Sequence, residues 1–363
     1  MVHDLSFLRE LVAMKDEMGV VSLYVTAEPG GGAPALRAEL RAVRERVAGW
    51  PDRIRRATVL EHLDALEPEV AELADPAAPG LGRALFAPVC TSEVRRAALQ
   101  VPVGTSAVLE PTPYVRPMIA AMATSAPAGV AVVRREGVRL IDYRYGLAED
   151  VHLSAFDLDC DGEGGGPREP RRLAECLIRC LHSAAPEISN RIGALRWSDV
   201  LLVGDPKLTG VLAEALCPLD PVQIHATVEA GLPAGEVVGR IAGELAAVRV
   251  RRDAEMVQRA TDLALAGGRG SLGLARTLGL LNEGRVDCLL LDESGRWRGG
   301  RGRDGFLYAA GQAPLGMETV EEPDLGERII ERALETRAEV MIVHRDAAVA
   351  LTAHDGVAAL LRW

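Results

Sequence analysis

A glycine-rich segment in the middle of the chain, Asp159–Pro170 (DCDGEGGGPREP), has the residue types of a loop that serves a function. Glycine adopts backbone conformations that other residues avoid, and the acids and prolines disfavour a packed core. The segment therefore predicts an exposed, mobile loop that precedes a helix with a basic start. By itself, this composition also fits a disordered surface loop. The candidate binding residues are Gly162, Gly164, Gly165, Gly166 and Arg168.

A second candidate is the basic segment Gly295–Gly305 (GRWRGGRGRDG) near the C-terminal end. Arginine forks suit phosphate groups, and an aromatic ring among them can stack on a base. The pattern favours contact with RNA, but a solvated surface loop would have the same composition. The candidate RNA-binding residues are Arg296, Trp297, Arg298, Arg301 and Arg303.

Other motifs of the sequence point away from common enzyme classes. Gly268, Gly270 and Gly273 match the spacing of a dinucleotide-binding fingerprint, which functions only between a strand and a helix. The residues before Gly268 have a helical pattern, so we interpret the match as accidental. The sequence contains no phosphate-binding P-loop, no H-E-x-x-H and no G-x-S-x-G motif. We therefore expect no cofactor.

The six cysteines are scattered and form no C-x-x-C pair, so the sequence does not indicate a disulfide framework. Cys176 and Cys180 are four residues apart and would share a face of a helix. With Cys160 upstream and His182 nearby, a metal site can be imagined. We interpret the pair as small buried side chains, because free cysteine is readily buried, and we expect no metal.

Composition sets broad limits on function. A net charge of −11 argues against loose binding to nucleic acids such as DNA, because such binding needs a basic surface. A net negative charge does not exclude a local basic patch on the surface. The N-terminus has no basic region leading into an apolar run, and no stretch approaches the length of a membrane span. We expect a cytoplasmic protein that makes no contact with a membrane.

Hydrophobic periodicity predicts an α/β chain with mixed sheets and flanking helices, divided into three domains. The prolines of residues 111–128 suggest one junction, and a long helical pattern over Pro233–Ala266 suggests a rod that leads into the last domain. The predicted domains are residues 1–122, 123–232 and 233–363. The predicted strands include Val20–Thr26, Gly129–Arg134, Val138–Tyr145, Val151–Leu158, Val200–Gly204, Val286–Asp292 and Val340–Val343. The sequence also predicts a tight hairpin turn at Glu136-Gly137, a helix from about Arg171 to Ala185, and a helix that begins at Pro206 with Asp205 as its cap.

The order of these motifs resembles the bacterial archaeo-eukaryotic release factor-like (baeRF) family, whose relatives include class I release factors, Pelota and Balon. The middle domains of release factors and Pelota have a strand hairpin, a G-x-G-G-Q loop, a long helix and an apolar strand ending in glycine. Here the corresponding segments are GVAVVRREGVRLIDYRYG, the loop at residues 162–166, RRLAECLIRCLHSA and VLLVGDPKLTGVL. VVSLYVT and PYVRP resemble the N-terminal domain. LLNEGRVDCLLLDESGRWRG and HDGVAALLRW resemble the C-terminal domain, which has the kink-turn-binding ribosomal-protein fold.

The resemblance places Gly164 and Gly165 on the paired glycines of the loop, but Gly166 stands where the family has its catalytic glutamine. In the family, this loop reaches the peptidyl-transferase centre, where the glutamine position orients the attacking water. The stop-codon-reading motif of the eukaryotic factors has no counterpart here. The resemblance thus implies an architecture that binds the ribosome. The departures from the family put both stop-codon reading and peptidyl-tRNA hydrolysis in doubt.

Three functions follow as alternatives. The first is a factor that occupies the A site of stalled or idle ribosomes in rescue or hibernation, without hydrolysis. Its partners would be ribosomal RNA, tRNA and a translational GTPase such as EF-Tu. The second is a peptidyl-tRNA hydrolase or release enzyme with a degenerate loop, in which the Gly166 amide aids a water. The third is an α/β protein that no longer acts on the ribosome, which the acidic net charge favours.

Overall fold

The structure is a computed structural model that describes residues 5–26, 32–78, 80–91, 93–99, 101–124, 126–144, 146–156, 169–226, 228–229, 231–322 and 324–363. The chain forms two compact units, one of Met1–Thr124 with Val250–Trp363 and one of Ser125–Arg249. The predicted α/β class with mixed sheets and flanking helices is confirmed. The division into residues 1–122, 123–232 and 233–363 stays a prediction.

The N-terminal part of the first unit contains a four-stranded antiparallel sheet in the order β3-β2-β1-β4. Side chains of a strand point alternately to the two faces of a sheet. In the central β1, Val21 and Leu23 accordingly pack against helices on one face, while Val20 and Tyr24 belong to a second core on the other face. The elements are α1 (Leu5–Ala13), β1 (Val20–Thr26), α2 (Gly32–Ala48), α3 (Arg53–Ala65), α4 (Glu67–Leu73), β2 (Gly82–Pro88), β3 (Arg95–Leu99), β4 (Ser106–Glu110) and α5 (Arg116–Thr124).

The second unit is built on a five-stranded sheet in the order β7-β6-β5-β8-β9. The hairpin predicted around Glu136–Gly137 joins two antiparallel strands, and the apolar strand predicted at Val200–Gly204 runs parallel to the first of them. The elements are β5 (Ala128–Arg134), β6 (Gly137–Arg144), β7 (Leu147–Ala155), α6 (Glu169–Leu195), β8 (Asp199–Gly204), α7 (Pro206–Ala215), β9 (Val222–Ile224), α8 (Ala234–Arg240) and the beginning of α9 (Ala242–Leu265), whose residues from Val250 onward belong to the first unit.

Two predicted helices differ from the structure. The helix predicted to end near Ala185 continues through Pro186 to Leu195, because its apolar stripe continues to Ile188 and Ile192 and packs on the sheet. The single rod predicted from Pro233 is instead two helices, α8 and α9. They are separated at the fully buried Ile241, whose backbone leaves the helical conformation.

The C-terminal part belongs to the first unit and carries two sheets, β10-β16-β11-β15 and β13-β12-β14. The apolar strands predicted at Val286–Asp292 and Val340–Val343 are confirmed and run parallel to each other. The elements are β10 (Gly270–Leu272), α10 (Leu274–Asn282), β11 (Val286–Asp292), β12 (Gly299–Gly302), β13 (Leu307–Ala309), β14 (Thr319–Glu322), α11 (Leu325–Glu335), β15 (Glu339–Val343), α12 (Arg345–Ala348), a 3-10 helix (Val349–His354) and β16 (Val357–Leu361).

The two parts of the first unit share one hydrophobic core. Leu8 of α1 and Met118 of α5 belong to the same buried cluster as Ile329, Ile330 and Leu334 of α11. The sequence suggested separate domains for these segments. An apolar residue in a sequence does not show which distant segment it packs against.

Candidate functional site

The glycine-rich loop lies outside the described residues, but the strands and helix that flank it are described. Gly162, Gly164, Gly165, Gly166 and Arg168 therefore stay candidate residues whose placement the structure does not give. β7 ends at Ala155, which pairs with Gly137 of β6, and Gly137 in turn pairs with Arg134 at the end of β5. The backbone N–H of Phe156 then donates to the Glu136 carbonyl oxygen at 2.9 Å. The chain thus leaves the sheet at the edge where β5 ends.

The same edge also holds the carboxyl ends of the parallel strands β8 and β9. Gly204 at the end of β8 pairs with Val133, and β9 runs parallel to β8. Ligand sites of open α/β sheets lie beyond the carboxyl ends of the strands. A cavity of about 570 Å³ opens here, and its polar lining includes Arg134, Arg135, Asp205 and His225. β7, the last described strand before the glycine-rich segment, therefore ends at the edge of the sheet that holds this polar cleft.

The Asp205 side chain in this cleft has a structural role that the sequence predicts. It caps α7 by accepting a hydrogen bond from the Lys207 backbone N–H at 2.8 Å, and Pro206 occupies the first turn. Such a cap satisfies an amide that the helix leaves free. Asp205 therefore fixes the direction in which α7 leaves the sheet.

The end of α6 is fixed to the sheet by Trp197. Its indole N–H donates to the Asp142 carboxylate at 2.6 Å, and Arg144 donates to the same carboxylate at 2.6 Å and to the Leu195 carbonyl oxygen at 3.0 Å. The ring lies so close to Gly129 that a Cβ atom there would come 1.9 Å from it. The helix that follows the glycine-rich loop is thereby held against β5 and β6.

The cysteines of α6 differ from the interpretation of the sequence. Cys176 is buried and disulfide-bonded, whereas Cys180 is a free thiol. The scattered spacing of the cysteines gave no indication of this bond. In the described part of the chain, no group of three or more His, Cys, Asp or Glu side chains is placed to hold a metal ion.

The basic segment contains two arginines without an ion pair among the described residues and two arginines with one. Arg296 and Arg298 are exposed, and neither forms an ion pair among the described residues. Arg301 lies 3.2 Å from the Glu322 carboxylate, and Arg303 pairs with Glu318. The predicted loop is also partly a strand, because Gly299–Gly302 forms β12 between β13 and β14. Arg296 and Arg298 are thus the arginines of this segment that stay available for a partner.

Trp297 does not fit the role that the sequence suggested. Its side chain is 5% exposed, and its indole N–H donates to the Asp355 carbonyl oxygen at 2.6 Å. The Arg116 guanidinium covers the ring, 5.4 Å from its centre. The ring therefore belongs to the core of the first unit and offers no free face for a base. The sequence shows an aromatic residue among arginines but not its burial.

A buried ionic network in the first unit was not predicted from the sequence. Arg328 is 4% exposed and donates to Glu331 at 2.6 Å, with Glu110 and Glu322 at 3.5 and 3.6 Å. Burial raises the pKa of the Glu110 and Glu331 carboxyls, and Arg328 opposes that shift. The network joins residues more than two hundred positions apart, and no local pattern in the sequence indicates such a pairing.

Glu327, one residue before Arg328, is fully buried. Its carboxylate accepts hydrogen bonds from the backbone N–H groups of Val115 and Arg116, the latter at 3.2 Å. Burial raises the pKa of this carboxyl to about 8. The side chain of Arg116 extends to the Glu293 and Gly295 carbonyl oxygens at 3.0 and 2.9 Å. Residues 115–116 are thus anchored to the C-terminal part of the same unit.

The described helices give no membrane-spanning candidate, since none combines the necessary length with sufficient apolarity. Among known proteins, residues 113–244 match the family model described as Bacterial archaeo-eukaryotic release factor family 10. This span contains all five strands of the second unit and the glycine-rich segment. No curated protein matches the chain.

Several solved structures are similar to the chain. An archaeal translation termination factor, aRF1, is 19% identical, with 99% of this chain and 97% of that chain covered and a TM-score of 0.27. Pelota of Archaeoglobus fulgidus is 12% identical over 99% and 93%, with a TM-score of 0.36. Dom34 of S. cerevisiae is 8% identical over 67% and 65%, with a TM-score of 0.39. Residues 113–244 of this chain are thus similar to bacterial archaeo-eukaryotic release factor family 10.

Proposed function

We propose that this chain is a ribosome-associated factor that occupies the A site of stalled or idle ribosomes and does not hydrolyse peptidyl-tRNA. The observation that carries the proposal is the match of residues 113–244 to a release-factor family. The matched span includes β7, the last described strand before the glycine-rich segment. Ribosomal RNA and tRNA are the partners, with a translational GTPase such as EF-Tu for delivery, and the site of action is the cytoplasm.

The absence of hydrolysis is proposed from the residue at the loop position that the family uses for catalysis. Water attack on an ester needs a positioned water and donors directed at the developing oxyanion. Gly166 supplies a backbone amide but no side chain, and Pro167 after it favours extended conformations for Gly166. A loop of this kind can fill space beside a tRNA end without activating a water.

Sedimentation of the tagged protein with ribosomes from growing and stationary cells tests the proposal. We expect the protein in the ribosomal pellet of stressed or stationary cells. Contacts with phosphates release counterions, so the bound fraction should fall steeply as salt rises. If the protein stays in the supernatant at low salt in every growth phase, the ribosomal function is wrong.

The second candidate function is a peptide-release enzyme, which the retained pair Gly164 and Gly165 favours. It is tested with ribosomes that carry labelled peptidyl-tRNA. We expect release at the background rate, and deletion of Gly164–Gly166 should not change it. Robust release by the wild-type protein that the deletion abolishes would assign the chain to the hydrolases instead.

A further inference from the structure

A second basic surface lies in the first unit, where α2 ends and α3 begins. Residues 46–56, here named the α2–α3 corner, contain four arginines and a single acid, Asp52, although the chain as a whole carries a net charge of −11. Arg46 lies in the last turn of α2, and the other three arginines follow at the start of α3. The corner is thus a local concentration of positive charge on an acidic protein.

The arginines at the start of α3 oppose the stability of that helix. The N-terminus of a helix carries partial positive charge, so each cation in the first turn costs about 0.3–1 kcal/mol. Arg53, Arg55 and Arg56 lie there, and the first turn contains no acidic residue. The Asp52 side chain already accepts hydrogen bonds from two amides of this turn, at 2.9 and 3.0 Å. Folding of the helix therefore does not explain the three cations.

Two of these arginines are held in fixed positions. The Arg55 guanidinium lies 4.9 Å from the centre of the Trp50 ring and donates to the Glu17 carbonyl oxygen at 3.0 Å. Arg56 donates to the Trp50 carbonyl oxygen at 2.9 Å. Arginine side chains fixed in this way lose less entropy when they bind a partner. The corner thus presents cations that are already ordered.

The other two arginines extend into solvent. Arg46 and Arg53 are exposed, and neither side chain has a hydrogen bond or an ion pair with any residue that the structure describes. Their guanidinium groups keep all of their donors for an external partner. Beside them, the side chain of Ile54 is 78% exposed.

We propose that the α2–α3 corner binds the phosphate backbone of an RNA. This inference rests on the proposed function, which supplies the RNA as part of the ribosome. Arginine forks bind phosphate oxygens in pairs, and four of them at one corner would release several counterions. The Trp50 ring is covered by Arg55, so the corner presents charge rather than an aromatic surface. A charged surface of this kind suits the phosphates of RNA better than it suits the apolar centre of a protein–protein interface.

The variant Arg53→Glu separates binding from stability, because the two are expected to change in opposite directions. An acid in the first turn of α3 favours the helix, so the melting temperature should stay equal or rise. Affinity for ribosomes at low salt should fall several-fold or more, because a phosphate contact becomes a repulsion. Affinity for a short single-stranded RNA, measured by fluorescence anisotropy, should fall in parallel.

The double variant Arg46→Gln with Arg53→Gln tests the number of contacts. Two lost phosphate contacts should reduce the slope of log affinity against log salt by roughly 1.4–1.8. The matched control is Arg9→Gln with Arg259→Gln, which changes the net charge equally at exposed residues elsewhere in the same unit. The control should keep most of the wild-type slope.

The possible failures are distinguishable. If the wild-type protein does not bind ribosomes, the proposed function is wrong. If it binds ribosomes but Arg53→Glu and the double variant match the control, the corner is not an RNA site. A loss of binding to poly-glutamate without any loss for RNA would mean that the corner takes an acidic protein, which also overturns the proposal.

Discussion

Glu327 is a buried carboxyl whose protonation should influence the stability of the first unit. Its pKa in the folded protein is about 8, above the ordinary value of 4.5, because burial disfavours the charge. The folded state therefore binds the proton more tightly than the unfolded state. Stability falls as pH rises from about 4.5 to about 8, and the full penalty is present above that range.

The variant Glu327→Gln removes this titration while keeping an oxygen that accepts a hydrogen bond from Val115 or Arg116. We expect the wild-type protein to lose stability relative to the variant as pH rises from about 4.5 to about 8, with no further loss above that range. Thermal unfolding of both proteins across this range measures the difference. A difference in melting temperature that does not change with pH would contradict the assignment.

The arginines of the basic segment should contribute unequally to RNA binding. Arg296 and Arg298 form no ion pair with any described residue, whereas Arg301 and Arg303 already have carboxylate partners. Replacing Arg296 and Arg298 by glutamine should weaken ribosome binding and reduce its salt dependence. The same change at Arg301 and Arg303 is the matched control and should have a smaller effect. Equal effects from both pairs would show that the ion pairs do not decide which arginines bind.

At the scale of single elements, the contact of Gly129 with Trp197 explains how α6 is held. A Cβ atom at Gly129 would overlap the ring, so Gly129→Ala should lower the free energy of unfolding by about 1–3 kcal/mol. Gly193→Ala is the matched control, because nothing lies within 4 Å of a Cβ atom there. Alanine at this helical position should stabilise the protein by about 0.5–1 kcal/mol.

Thermal or denaturant unfolding of the two variants measures these effects, with the wild-type protein as the reference. If Gly129→Ala is as stable as the wild-type protein, β5 and Trp197 are not in close contact. A loss of stability in Gly193→Ala would show that this face of α6 is not free.

The sequence predicted elements well where the pattern was local. The apolar run Val286–Asp292 indicated a buried strand, and Asp205 before Pro206 indicated a capped helix start. The predictions from the sequence were wrong where contacts with distant parts of the chain determine the structure. Pro186 did not end α6, because an apolar stripe on both sides of it packs on the sheet. Trp297 was assigned to the surface. Its ring is covered by Arg116, which is far away in the chain, so the residues around Trp297 in the sequence do not indicate its burial.

At the scale of the whole molecule, the shared core predicts which parts of the chain fold alone. Ile329, Ile330 and Leu334 of α11 are buried in a cluster that includes residues of the N-terminal part. A fragment of residues 250–363 would expose this surface, whereas a fragment of residues 125–249 keeps its own core. We expect cooperative thermal unfolding of the fragment 125–249 only. Cooperative unfolding of the isolated fragment 250–363 would instead support three independent domains.

The overall charge makes the proposed ribosome binding dependent on local surfaces. A net charge of −11 repels RNA at long range, so binding requires basic patches such as Arg296 with Arg298 and the α2–α3 corner. Non-specific binding to free RNA should accordingly be weak at physiological salt. The third alternative, a protein that no longer acts on the ribosome, would share the charge but not depend on these patches.

The most direct test of A-site occupancy is a cryo-electron-microscopy map of purified ribosomes, without mRNA or A-site tRNA, mixed with the wild-type protein at low salt. We predict density for the chain in the A site, with the unit of residues 125–249 facing the peptidyl-transferase centre. Density at another ribosomal site, or ribosomes without bound protein, would contradict the account.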